Sequence, residues 1–93
     1  MNQIGITEDH KKVMDGVFEM YDTIGLPLPI LFMIMKDKNM IPSPIHFYED
    51  ALKAGWNLKT IFNRLEEAYC DTYNEKFWKE VKLRLYYYIN QND

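Results

Sequence analysis

Two imidazoles, one thiol and the adjacent carboxylates Glu49/Asp50 and Glu66/Glu67 are among the side chains in this 93-residue sequence with the chemistry for catalysis or metal binding. A zinc site takes three or four His, Cys or carboxylate ligands at spacings that one local structure can gather. Neither His10 nor His46 has such companions. His46 falls in the first turn after Ser43, where local hydrogen bonding accounts for it. Cys70 follows Tyr69 in a helical pattern and reads as a small buried thiol. A nucleophilic cysteine needs a base beside it, and the sequence indicates none. Glu49/Asp50 and Glu66/Glu67 are sequence neighbours. On a helix they point about 100° apart, which suits a solvated surface better than an acid–base pair. There is no Gly-rich phosphate loop, no Ser-centred elbow and no calcium loop. The expectation is no catalytic residue, no metal and no cofactor, hence a non-enzymatic chain.

The elements that position these residues read as helices. Thr7 followed by Glu8 and Asp9 is the composition of a helix N-terminus. Val13, Val17, Met20 and Ile24 then recur at helical spacing until Gly25 ends the run. Gly16 falls inside this helix at a cost of about 1 kcal/mol relative to Ala, which close packing would explain. Leu26-Pro27-Leu28-Pro29 is a rigid extended connector. Pro29 opens a second helix through Met35 that is apolar all round, the pattern of a central core element. Ser43-Pro44 starts a third helix, Asn57 caps a fourth, and Asn74 with Glu75 opens the last. The fourth carries Leu58, Ile61, Phe62, Leu65, Ala68 and Tyr69 as one stripe. Phe77, Trp78, Val81, Leu85 and Tyr88 form the apolar side of the last. No run alternates like a strand. The pattern predicts an all-α, single-domain bundle of about five short helices over residues 1–93.

From Phe47 to Glu66 the chain reads FYEDALKAGWNLKTIFNRLE. Ala51 lies four residues before Gly55 and Ile61 six after it, and this spacing resembles helix-turn-helix domains. The resemblance covers about 20 residues. It implies that Ala51 lets two helices approach, that Gly55 makes the turn, and that Ile61 locks the second helix onto the first. It further implies that Asn57, Lys59, Thr60, Asn63 and Arg64 face DNA, with Lys76, Lys79 and Lys82 of the last helix supplying positive charge. Asp50 and Arg64 stand where the resembled domains carry apolar side chains.

Charge and composition favour a protein partner over DNA. Eleven Lys+Arg against 14 Asp+Glu leave a net charge of −3, whereas DNA binding draws on phosphate neutralisation by cations. With 47% hydrophobic residues and 15% aromatics, the chain is no disordered segment. One cysteine rules out an internal disulfide framework. Area scaling gives about 5,700 Å² of folded surface, enough for one modest core. That core cannot take every aromatic. Tyr86-Tyr87-Tyr88 covers three helix faces, so at least one tyrosine is expected outside. With Trp56, these tyrosines are the expected contacts to a protein partner, and a homodimer is expected as well. No basic-then-apolar leader opens the chain, and its longest apolar run, Leu26 to Met35, is too short to span a membrane. The location expected is cytoplasmic, in keeping with a lone Cys70. Nine Lys against two Arg, with seven Asn and nine Ile, matches an AT-rich gene such as phages and low-GC bacteria carry. The function expected is therefore a small regulator or inhibitor that binds a protein, with helix-turn-helix DNA reading as the alternative.

Overall fold

Thr7, Glu8 and Asp9 build a hairpin turn, not a helix start. In the computed structural model, which describes residues 1–92, the Thr7 N–H donates to the Lys11 carbonyl at 2.8 Å and the Thr7 hydroxyl accepts from the Lys11 N–H at 2.9 Å. The same hydroxyl donates to Asp9, whose carboxyl is held below its ordinary pKa chiefly by that bond. The turn joins strand β1 (Asn2–Ile6) to β2 (Lys12–Asp15), which pair antiparallel with an irregularity between Gln3 and Gly5. β3 (Met40–Pro42) adds parallel to the other side of β2, giving the order β1-β2-β3. The all-α expectation is corrected here: the chain is mostly helical with a small three-stranded sheet. The reason is that Thr and Asp serve hairpin turns as readily as helix caps, and Val13 to Val17 matched a helical spacing across two different elements.

Gly16 shows where the expected first helix breaks. Its φ is +71°, and a Cβ there would sit 3.2 Å from the Met1 Cα. It precedes α1 (Val17–Ile24), so this helix starts nine residues later than the Thr7 cap predicts. At the other end Gly25, φ +76°, donates its N–H to the Tyr21 carbonyl, as a glycine stop should. α2 (Leu28–Asp37) carries Pro29 in its first turn. It buries Leu28, Leu31, Phe32 and Met35 but leaves Ile30, Met33 and Ile34 exposed. The all-round apolar helix is thus a wall of the core and not its centre.

The three remaining starts lie where their caps place them. Ser43 opens α3 (Pro44–Lys53) and Asn57 opens α4 (Leu58–Thr72). Asn74 accepts from the Phe77 N–H at 2.7 Å ahead of α5 (Glu75–Asn92). Tyr69 of α4 sits at the centre of the core. Its ring lies 4.9 Å from Phe32 of α2 and 6.0 Å from Trp78 of α5, centroid to centroid. Its hydroxyl donates to the Pro42 carbonyl at 3.1 Å, which ties α4 to β3. A second aromatic group, Phe18, Tyr21, Phe47 and Trp56, packs α1 against α3. Edge-to-face contacts of this kind add about 0.5–1.5 kcal/mol per pair beyond burial. The folded surface, 5966 Å², is close to the area that chain length alone predicts.

Candidate interaction site

α5 is an 18-residue helix held from one side. Trp78, Val81 and Leu85 are buried beneath it, which fixes the opposite face outward. That outward face is not wholly polar. Leu83 and Tyr87 are each 69% exposed and Tyr86 is 43% exposed. Tyr88 turns toward α3 instead. Its ring lies 6.4 Å from Tyr48, and a hydrogen bond to Glu49, with smaller effects of burial and charge, holds its hydroxyl above its ordinary pKa. Of the expected contacts, Tyr87 is exposed, Tyr86 is exposed on one side only, and Tyr88 is half-buried. Trp56 is half-buried as well, with Phe18 at 5.1 Å and Tyr21 at 6.0 Å against its ring.

Between α4 and α5 runs an open groove of about 430 Å³. Leu58, Phe62, Trp78 and Tyr86 supply its apolar lining. The Phe62 ring stands 5.0 Å from Tyr86 and 6.1 Å from Trp78. Lys59, Asn63, Glu66 and Lys82 supply its polar lining. The Lys82 ammonium lies 6.0 Å from the Tyr86 ring centroid, within reach of a cation–π contact. Residues singled out for two different reasons, an aromatic interface and a DNA-facing helix, thus meet in one groove.

The other DNA-facing residues are spread more widely. Asn57 commits its side-chain oxygen to the Thr60 N–H at 2.8 Å. Arg64 and Lys76 are exposed outside the groove, and Lys79 lies 3.6 Å from Glu75 in an exposed i,i+4 pair of little energetic weight. At the corner between α3 and α4, Ala51 and Ile61 are fully buried and Gly55 has φ +94°.

The reactive side chains stay apart. Ser43 Oγ lies 2.7 Å from His46 Nδ1, but Ser43 is buried and shares this bond within one helical turn as the cap of α3. Burial, followed by the charges of Glu66, Glu75 and Asp71, pushes the Cys70 thiol above its ordinary pKa, the reverse of nucleophile activation. Among the described residues no three His, Cys, Asp or Glu side chains gather as a metal site would require, and no helix is long and apolar enough to cross a membrane.

Two exposed apolar features had no place in the sequence expectations. One is Leu83, which lies off the core stripe of α5 but one helical turn from Tyr86 and Tyr87; that spacing was visible on a helical wheel. The other is the Ile30/Met33/Ile34 face of α2, masked by a run that is apolar on every side. In comparisons with known proteins, no family model, no curated protein and no solved structure matches the chain.

Proposed function

We propose that this chain is a non-enzymatic protein-interaction domain, a small regulator or inhibitor that acts by seating a protein partner on α5 and the adjoining α4–α5 groove. One observation carries the reading: Leu83, Tyr86 and Tyr87 stand exposed on a long helix anchored by Trp78, Val81 and Leu85. Tyrosine offers a large contact area with a polar handle, and a rigid helix has little entropy left to lose on binding. A lone Cys70 fits a reducing cytoplasm, and the Lys, Asn and Ile bias fits a phage or low-GC bacterial gene. The test is affinity capture from the source cell with the native chain and with Tyr86→Ser/Tyr87→Ser. A partner held by the first and lost by the second, at unchanged circular dichroism, is the expected result. Equal capture by both ends the assignment of this face, and loss of folding shows that the tyrosines are core.

The second reading, helix-turn-helix DNA recognition, is favoured by one arrangement: Lys59, Asn63 and Lys82 share a solvent-open groove behind the Gly55 corner. Glu66 in the same groove and the net charge of −3 weigh against it. Duplex mobility shifts across a salt series decide it. Each phosphate neutralised steepens the dependence of log K on log salt by about 0.9, and a slope of several such units puts this reading first.

A further inference from the structure

We propose that the α4–α5 groove is a nucleotide site, with a phosphate between Lys59 and Lys82 and an adenine base on the Phe62–Tyr86 ring pair. The site goes beyond the protein-interaction reading and does not need the exposed Leu83 and Tyr87.

Three kinds of side chain meet in this groove, and a nucleotide has a use for each. The first is aromatic. The Phe62 and Tyr86 rings lie 5.0 Å apart and are inclined by 42°, with the buried Trp78 behind them at 6.1 Å from Phe62. Phe62 is half-buried and Tyr86 exposed, so ring surface is left open. Nucleobases stack on such rings. The second kind is cationic: Lys59 enters the groove from α4 and Lys82 from α5. Other lysines are engaged, Lys11 with Asp9, Lys36 with the Thr72 carbonyl and Lys79 with Glu75. Among the described residues no hydrogen bond or ion pair engages Lys59 or Lys82, and Lys82 has the Tyr86 ring beside it. A phosphate monoester carries about two negative charges at neutral pH, which these two ammonium groups balance.

The third kind reads the base. Asn63 and Glu66 line the same groove, and among the described residues neither side chain makes a hydrogen bond or ion pair. A carboxylate accepts hydrogen bonds and donates none, so Glu66 favours a base that presents an exocyclic amine. Asn is the side chain that pairs bidentately with adenine. Together they select adenine over uracil. Lys59 and Glu66 are seven residues apart on α4, about 10 Å along the axis, a separation that an extended nucleotide bridges from phosphate to base edge. Glu66, which opposes a duplex, thus has a role here. Two local cations suffice for one phosphate, whereas a polyanion also meets the net charge of −3.

The experiment is equilibrium dialysis of the full chain against AMP, UMP, adenosine, inorganic phosphate and a single-stranded octadeoxyadenylate. AMP should bind with a Kd below about 1 mM, and more tightly than UMP, adenosine or phosphate. Tyr86→Ala should weaken AMP about tenfold, while Tyr86→Phe keeps the ring and the affinity. Lys59→Gln and Lys82→Gln should each weaken AMP about tenfold and leave adenosine unaffected. Glu66→Gln should narrow the gap between AMP and UMP. Circular dichroism should be unchanged throughout, and the lysine variants decide the matter if Tyr86→Ala unfolds the chain. An octamer no tighter than AMP marks a free nucleotide as the source. An octamer more than about tenfold tighter, losing about 0.7 in log K per phosphate against log salt, marks a single strand; both results support the site. No AMP bound at about 5 mM, phosphate or UMP bound as tightly as AMP, or an AMP affinity indifferent to the Tyr86→Ala and lysine variants overturns the proposal.

Discussion

Removing one hydroxyl from Tyr69 and one from Tyr73 should move stability in opposite directions. Both residues lie on α4 or its C-terminal boundary, four positions apart, and their ring centroids are 6.2 Å from each other. The Tyr69 hydroxyl is buried and donates to the Pro42 carbonyl at 3.1 Å. Tyr69→Phe therefore deletes a hydrogen bond and leaves a buried carbonyl without its donor, a loss of about 1.5 kcal/mol within the usual range of 1–3. The Tyr73 hydroxyl is also buried but has no hydrogen-bond partner among the described residues. Its unmet desolvation costs roughly 1–3 kcal/mol on mutational scales, so Tyr73→Phe should stabilise by about 1 kcal/mol. The ammonium groups of Lys36 and Lys11, 5.2 and 5.7 Å from the Tyr73 centroid, keep an aromatic face in the variant. The two variants should differ by about 2.5 kcal/mol, or roughly 10–20 °C in Tm for a domain of this length. Urea unfolding at neutral pH, followed by circular dichroism, reads this as opposite shifts of midpoint at constant m-value. If both variants shift the same way, or agree within about 0.5 kcal/mol, the hydrogen-bond accounting of the core is wrong.

Alkaline pH tests the same hydroxyls. Burial raises the folded pKa of Tyr69 and of Tyr73, while the unfolded chain titrates near 10. Stability is then complete below about pH 10 and falls as pH climbs toward the raised folded values; Tyr69 alone contributes about 1.4 kcal/mol per pH unit, a slope Tyr69→Phe should remove. Gly16→Ala should cost about 1–2 kcal/mol and more than Gly55→Ala, although both have positive φ, because a Cβ at Gly16 also meets Met1 at 3.2 Å while one at Gly55 meets nothing within 4 Å. Equal thermal shifts would show that the N-terminus yields freely. Cys70 should react with a disulfide reagent more slowly than a free thiol at pH 8, since its folded pKa is raised; a faster reaction would reverse the electrostatic account.

The helical half of the molecule was legible because helix signals are local. Ser43-Pro44, Asn57 and Asn74 each act on backbone groups within three residues of themselves, and Gly25 ends α1 through a bond to Tyr21. The core positions Ile61, Leu65, Trp78, Val81 and Leu85 followed from periodicity, as did the exposure of at least one tyrosine among Tyr86, Tyr87 and Tyr88. What periodicity leaves open is which apolar side of a fully apolar helix faces in. Only packing against Tyr69 decided that Phe32 is buried and Met33 is not.

The first sixteen residues were misread because their structure depends on pairing. Lys12 matches Ile6 across a turn, but it also matches Met40 twenty-eight residues on, and no local pattern records that second partner. The same holds for the candidate site. By itself the sequence determined which residues are capped, buried or tyrosine-rich, because those properties need only a few neighbours along the chain. The tertiary structure alone decided that Lys59 and Asn63 of α4 share a groove with Lys82 and Tyr86 of α5, and that Leu83 and Tyr87 stand beside Ile45 of α3. Surfaces such as these are made by elements whose crossing is set by the core beneath them, through contacts distant in sequence.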